Sequence, residues 1–220
     1  MAESSSWTRE AWSAALPAYD RIISHPFIKE LAAGTLATEI FDRYIAQDEL
    51  YLGNYGRQMF ELAALLDDPA QRSMFEEFAR EGLEGEKIMH QLLIDRFGID
   101  TKVIPSPVTA DYNSHSQAAI ATGSKEIGLA AMLPCMWVYN EVGLHILSIA
   151  STEGNPYREW ILEYGNEAFT EGVKAVLAMA DEFAAAASPE VRKRMTEEFV
   201  AATEFEYWFW DYGYYGKDRR

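Results

Sequence analysis

The feature that most limits what this 220-residue chain can become is the period of its apolar residues, which recur every three or four positions almost from end to end. That spacing gathers them on one side of a helix. No stretch of period-2 alternation is long enough to argue a sheet. The punctuation agrees with the period. Ser6 stands where it can cap a helix over Trp7–Ser24, with Pro17 bending or splitting it. A short helix follows His25-Pro26-Phe27, and Thr38 is placed to cap a long helix whose apolar positions run to Leu66. Asp68-Pro69 opens another, ended by Gly98, and residues 99–108, with Pro105 and Pro107, form the one extended connection. Further helices are predicted over residues 110–121, 126–150, 156–164, 166–187 and 189–212, where Asn155-Pro156 and Ser188-Pro189 pair a cap with a following proline. With no repeat and no linker, the expectation is an all-α helical bundle, a single domain over residues 1–220.

Charge narrows the partners. Thirty-five acidic residues against 19 basic ones give a formal net charge of −16. Such a field repels a polyanion, because nucleic-acid affinity comes largely from Lys and Arg displacing counterions. The one basic cluster, residues 217–220, reads as a solubilising tail. A lone cysteine cannot close an intramolecular disulfide, which fits a reducing compartment. Residues 1–12 lack the basic and apolar regions of a signal peptide, and the longest apolar run, 129–139, is short for a bilayer and holds Pro134. The expectation is a soluble cytoplasmic protein that binds neither nucleic acid nor membrane.

Helical phase then picks out two acids in the wrong place. On the helix from Thr38 the apolar stripe is Phe41, Ile45, Leu52, Tyr55, Met59, Leu62 and Leu66, and Asp48 falls in its middle beside Tyr44 and Tyr51. On the last helix Met195, Phe199, Thr203 and Trp210 share a face with Glu206 at its centre, while Glu204 turns to the opposite side with Glu197. A bare carboxylate in a core costs several kcal/mol, so each acid must be paired, hydrogen-bonded or protonated. Either could be a structural acid satisfied by tyrosine hydroxyls. Cys135 lies in Leu-Pro-Cys-Met-Trp-Val-Tyr, on a helix apolar all round, with Tyr139 one turn on. Pro134 cannot donate to the Ala130 carbonyl, which loosens the turn beside the thiol. Read alone, such a cysteine is more readily a small buried hydrophobe than a nucleophile.

A metal centre competes for the same residues. Glu86 and His90 are one turn apart, as are Glu141 and His145, and with Asp48 and Glu206 they resemble the ligand supply of a di-metal bundle. Those bundles carry Glu-x-x-His twice, a spacing neither pair has. Glu141 also lies about 240° round its helix from Cys135. His25 beside Pro26 and His115 beside Ser114 read as satisfied loop or cap histidines. The sequence therefore argues for no metal and no cofactor.

Several segments, taken in order, resemble the TenA / thiaminase II family. They are His25-Pro26-Phe27, Tyr44-Ile45-Ala46-Gln47-Asp48, Ser106-Pro107 followed by Tyr112 and Ser114-His115, Leu133-Pro134-Cys135 with Trp137, Tyr139, Glu141, Val142 and Gly143, and Glu206-Tyr207 with Phe209-Trp210. They run from residue 25 to about 212. The resemblance implies a haem-oxygenase-like bundle, a homotetramer, and the branch of the family that carries the cysteine. It further implies Cys135 as nucleophile, Glu206 as acid/base, and Asp48 on the exocyclic amine of a pyrimidine ring. Tyr112 and Tyr139 would be hydrogen-bond partners, and Tyr51 and Tyr164 would wall the ring. Two departures, Glu49-Leu50 after Asp48 and Asn140 after Tyr139, would reshape the leaving-group side.

The reaction so implied is hydrolysis of an aminomethylpyrimidine to the hydroxymethylpyrimidine and ammonia, and of thiamin to the same product and a thiazole. It calls for a thiol with a usable thiolate fraction and a carboxyl whose pKa is raised towards neutrality. A non-catalytic pyrimidine-binding or regulatory protein and a di-metal oxidase on the same bundle are the alternatives.

Overall fold

The structure, a computed structural model, describes residues 6–220. The first five residues of the polar amino-terminal stretch lie outside the described residues. Among the described residues there are nine helices and no strand: α1 Trp7–Ser24, α2 Pro26–Ala33, α3 Thr38–Ala63, α4 Pro69–Phe97, α5 Pro107–Ala121, α6 Lys125–Ile149, α7 Arg158–Tyr164, α8 Glu167–Ala186 and α9 Pro189–Tyr215. The caps explain most of these boundaries. Side chains of Ser6, His25, Asp68, Ser106, Ser124, Asn166 and Ser188 each accept a backbone N–H of the first turn that follows. Gly34, Gly98 and Gly216 close α2, α4 and α9 in the left-handed conformation that glycine adopts without strain.

Some boundaries differ from the sequence reading, each for a visible reason. Thr38 is the first helical residue rather than a cap; Ala37 precedes it with no side-chain cap, and α3 ends at Ala63, short of Leu66. Pro17 neither splits nor ends α1, because it and Ser13, the carbonyl it leaves unpaired, lie on the exposed face. The fifth helix starts at Pro107, three residues early, because Ser106 Oγ accepts from Thr109 N at 3.0 Å. Asn155 does not start a helix at Pro156. Its Oδ1 accepts from Tyr157 N at 2.8 Å and its Nδ2 donates to the Leu31 and Ala32 carbonyls, pinning the loop to the end of α2. Residues 217–220 are not a free tail, since Arg219 reaches Asp211 and Arg220 reaches Asp111. His115 is not a loop residue; inside α5 its Nε2 lies 3.2 Å from Glu198 Oε2 on α9.

Helix α6 is the axis of the bundle. Residues 128–140 are buried without a break, and the helix packs against α5, α7, α8 and α9. By length and composition it could cross a membrane, unlike the short run inside it, but 83% of its apolar window is covered by the rest of the protein. A helix apolar all round is stable in such a position because every face meets a neighbour. One contact is too close for a side chain. A Cβ on Gly143 would stand 2.5 Å from the backbone carbon and oxygen of Tyr164, so α6 and the end of α7 meet backbone to backbone. Gly143→Ala must push α7 away. The expected loss is about 2–3 kcal/mol, as for overpacked cores, measured by urea denaturation. A loss below about 0.5 kcal/mol, ordinary for a free surface position, would mean that this approach is not tight.

Candidate active site

Three helices deliver the two misplaced acids and the thiol to one region. Asp48 from α3 and Glu206 from α9 are buried, and Cys135 from α6 is only 7% exposed. The phase argument holds on its control as well, because Glu204 faces outward and pairs with Arg21. Each buried acid needs a donor, and helix interiors have no spare backbone N–H to give. Tyrosines supply them. Tyr112 Oη donates to Glu206 Oε1 at 2.6 Å, Tyr164 Oη donates to Glu86 Oε1 at 3.1 Å, and Tyr44 Oη donates to Tyr139 Oη at 3.1 Å. Tyr51 stacks on Tyr112, with ring centroids 4.7 Å apart, and lies against the thiol. Its hydroxyl, buried, has no aligned partner among the described residues.

The structure thus assembles all seven residues singled out from the sequence around one centre, although the tyrosines are dealt out differently. Tyr51, expected as a wall, is the hydroxyl beside sulfur. Tyr139, expected near the thiol, is tied to Tyr44 and packs at a tilt against Trp210, with ring centroids 4.8 Å apart. Two residues joined here were read only as metal ligands, Glu86 and His90. Glu86 lines a narrow cleft, partly open to solvent, together with Cys135, Tyr55, Met136 and Phe169. His90 is 1% exposed and lies between two acids, with Nε2 3.2 Å from Asp48 Oδ2 without the alignment of a regular hydrogen bond, and Nδ1 2.5 Å from Glu49 Oε1. Their helical register, four apart on α4, was legible. The facing departure Glu49 was the signal that His90 had an acid waiting.

Electrostatics separate the roles. Burial pulls His90 down, but the close carboxylates of Asp48 and Glu49 and the charge of Glu86 outweigh it and raise its pKa to about 10. Both ring nitrogens of His90 face carboxylate oxygens of α3, Nε2 towards Asp48 and Nδ1 towards Glu49. Glu141 accepts instead from Trp137 Nε1 at 3.3 Å, away from the thiol. Burial pushes Glu206 up to about 8, only partly countered by the Tyr112 hydroxyl. Glu86 is likewise pushed up to about 8, first by burial of its carboxyl and then by the charge of Asp48. Cys135 departs from expectation. Burial, then the charges of Glu206 and Glu86, push its thiol well above the ordinary range, so the unliganded site holds S–H rather than a ready thiolate. Asn140 lies off the cleft, donating to Thr170 Oγ1 at 2.8 Å and to the Tyr164 carbonyl at 3.3 Å.

These shifts carry a stability consequence. Between its ordinary value of 4.5 and about 8, Glu206 is protonated when folded and ionised when unfolded. Its contribution is whole below the lower value and is lost as pH rises through the upper one. Glu206→Gln removes that loss. The variant should be more stable than the parent by on the order of 2–4 kcal/mol at about pH 8, and nearly equal to it at about pH 5. Glu204→Gln, losing only an exposed ion pair, should change stability by less than about 0.5 kcal/mol at either pH. Denaturant titrations at both pH values read this directly. A Glu206→Gln difference independent of pH would contradict it.

Comparison with known proteins follows the same lines. The chain is 32% identical over 213 residues to an aminopyrimidine aminohydrolase of Bacillus subtilis, an alignment covering 94% of this chain and 89% of that protein. Its fold matches a TenA homologue from P. horikoshii OT3, with a TM-score of 0.86 at 24% identity over 97% of this chain and all of the other. It also matches a domain with a haem-oxygenase-like fold from Shewanella denitrificans OS217, with a TM-score of 0.73 at 18% identity over 96% and 93%. The model of the TENA/THI-4/PQQC family matches residues 12–216. The chain belongs to the TENA/THI-4/PQQC family, and its bundle is of the haem-oxygenase-like type.

Proposed function

We propose that this chain, as one domain, is an aminopyrimidine aminohydrolase of thiamin salvage. In this reading it converts an aminomethylpyrimidine to the hydroxymethylpyrimidine and ammonia, and cleaves thiamin more slowly. The observation that carries the reading is a lone thiol, Cys135, enclosed with a carboxyl, Glu206, whose pKa of about 8 keeps it protonated at neutral pH. The likeness to the B. subtilis aminohydrolase supports it. Glu206 gives its proton to a ring nitrogen and takes the proton of the Cys135 thiol as sulfur bonds to a ring carbon. The S–H bond is thereby added across the ring with no net change of charge, which suits a thiol whose anion the site disfavours. The ring has lost its aromaticity but stays closed, and the substituent on the methylene can leave by elimination. Asp48 accepts from the exocyclic amine, and Tyr51, Tyr112, Tyr139 and Tyr164 hold the ring flat and exclude water.

A cytoplasmic location and a homotetramer belong to the same proposal. The lone free cysteine suits a reducing compartment. Ile88 and Leu92 on α4 and Leu162 on α7, exposed by 57%, 54% and 36%, offer apolar surface for self-association.

Mass-spectrometric detection of hydroxymethylpyrimidine, with the aminomethyl compound and thiamin supplied in parallel, tests the reaction. Cys135→Ser should lower turnover by at least about 10³-fold with the melting temperature little changed, because a serine hydroxyl is a far weaker nucleophile at neutral pH. A serine variant as fast as the parent would rule out covalent addition. Tight pyrimidine binding with no product from the parent would leave a binding protein in its place.

A further inference from the structure

Glu86 is the acid that the addition step leaves unused. It belongs to α4, and its carboxyl turns inward, where Tyr164 Oη donates to Oε1; Oε2 has no hydrogen-bond partner among the described residues. The cleft it shares with Cys135 is otherwise lined by aromatic and aliphatic side chains, glycine and alanine. Glu86 is thus the one carboxyl in the lining of that cleft, whose other ionisable groups are the thiol and the Tyr55 phenol, the latter spent on the Met132 carbonyl. With Leu83 it also walls a second cleft, lined by Glu49, Lys87 and His90. Glu86 therefore stands between the buried thiol and the outside, whereas Asp48 and Glu206 line neither cleft. A flat ring that turns its hydrogen-bonding edge to those two inner acids presents the substituted methylene towards Glu86.

We infer that Glu86 is the general acid for the departing group, and that it tunes the enzyme to substrates whose methylene carries an amine. The inference rests on the hydrolase reading above. An amine cannot depart as its anion. Glu86 gives its proton to the amine nitrogen as the C–N bond breaks, and the electron pair of that bond goes with nitrogen as ammonia. The ring–sulfur adduct is left as a cationic exocyclic methylene opposite the Glu86 carboxylate. Water then bonds through oxygen to the methylene carbon, and its released proton returns to Glu86, restoring the acid and a neutral adduct. Expulsion of sulfur, with the ring N–H proton passing back through Glu206, completes the cycle. A quaternary leaving group, such as the thiazolium of thiamin, departs as a neutral base and needs no proton. Burial of the Glu86 carboxyl holds its pKa at about 8, where it keeps a proton at neutral pH and gives it up readily.

The test pairs two leaving groups on one pyrimidine, the primary amine and a quaternary ammonium (the trimethylammoniomethyl compound, with thiamin beside it). Glu86→Gln should lower kcat on the amine by about 100-fold, as expected for a positioned acid, and on the quaternary substrates by less than about 10-fold. Glu86→Asp, which keeps an acid but draws it back by one methylene, should fall between Gln and the parent on the amine. It carries the same comparison should the Gln variant not fold. Equal losses on both leaving groups would reduce Glu86 to a structural acid, and no loss on the amine would remove it from the reaction; either overturns the inference while the hydrolase reading stands. A parent enzyme inactive on every substrate would overturn both.

Discussion

Everything at the centre of this bundle follows from putting carboxyls where no backbone donor is free. In a helix interior each N–H is already spent on the carbonyl four residues back, so a buried acid can be served only by side chains. A sheet or a loop-built site could offer main-chain amides. An all-helical one must import its donors, and it imports them as tyrosine hydroxyls on rigid aromatic stems. Tyr112 serves Glu206 and Tyr164 serves Glu86, while Tyr44 and Tyr139 spend their hydroxyls on each other. The abundance of tyrosine, 12 residues in 220, is therefore a polar requirement as much as an apolar one. The same rings close the walls, so satisfying the acids and shaping a slot for a flat ring are one design.

That arrangement sorts three neighbouring acids into two kinds. Asp48 lies directly against a cation, the His90 imidazolium, which the half-exposed Glu49 holds from the far side. Glu86 and Glu206 have hydroxyl partners, and burial raises both to about 8, for Glu86 against the opposing charge of His90. Phenol hydroxyls donate to a carboxylate but do not offset its charge, so desolvation wins. A region with one charge-compensated acid and two protonated ones can hold an amine by one group and move protons with the others. It is also less stable above neutrality than a core of amides would be, a common balance between function and stability.

The sequence made the fold legible because period, caps and prolines agreed with one another along nearly the whole chain. It made Asp48 and Glu206 legible for the same reason: a helical wheel detects a charge on the wrong face, and Glu204 gives the contrast. What the wheel cannot see is contact between helices far apart in the chain. Glu86 and His90 looked like a ligand pair because their spacing on α4 was visible and the carboxylates facing His90 from α3 were not. Asn155 looked like a helix cap because its use as a tie to α2 depends on residues more than 120 positions away. The thiol failed in a subtler way. Nucleophile chemistry suggested a lowered pKa, but burial of the sulfur raises it, and the neighbouring carboxyls add to that rise whenever they ionise.

That last difference bears on how such a site would work. A preformed thiolate here would have to sit near three carboxyls at low dielectric, and each neighbour would raise its cost. Keeping the proton on sulfur avoids the cost until a ring is present to receive it. On the proposed path the proton leaves sulfur only as a ring nitrogen gains one, so no unbalanced anion forms. Glu206 suits that exchange because it is close to half ionised at its pKa of about 8 and can act in either direction. The Tyr51 hydroxyl, which lies against the sulfur and pulls the thiol pKa down, is placed to support the sulfur while its proton is in transit. The high thiol pKa is then a property of the resting site that substrate binding is built to undo.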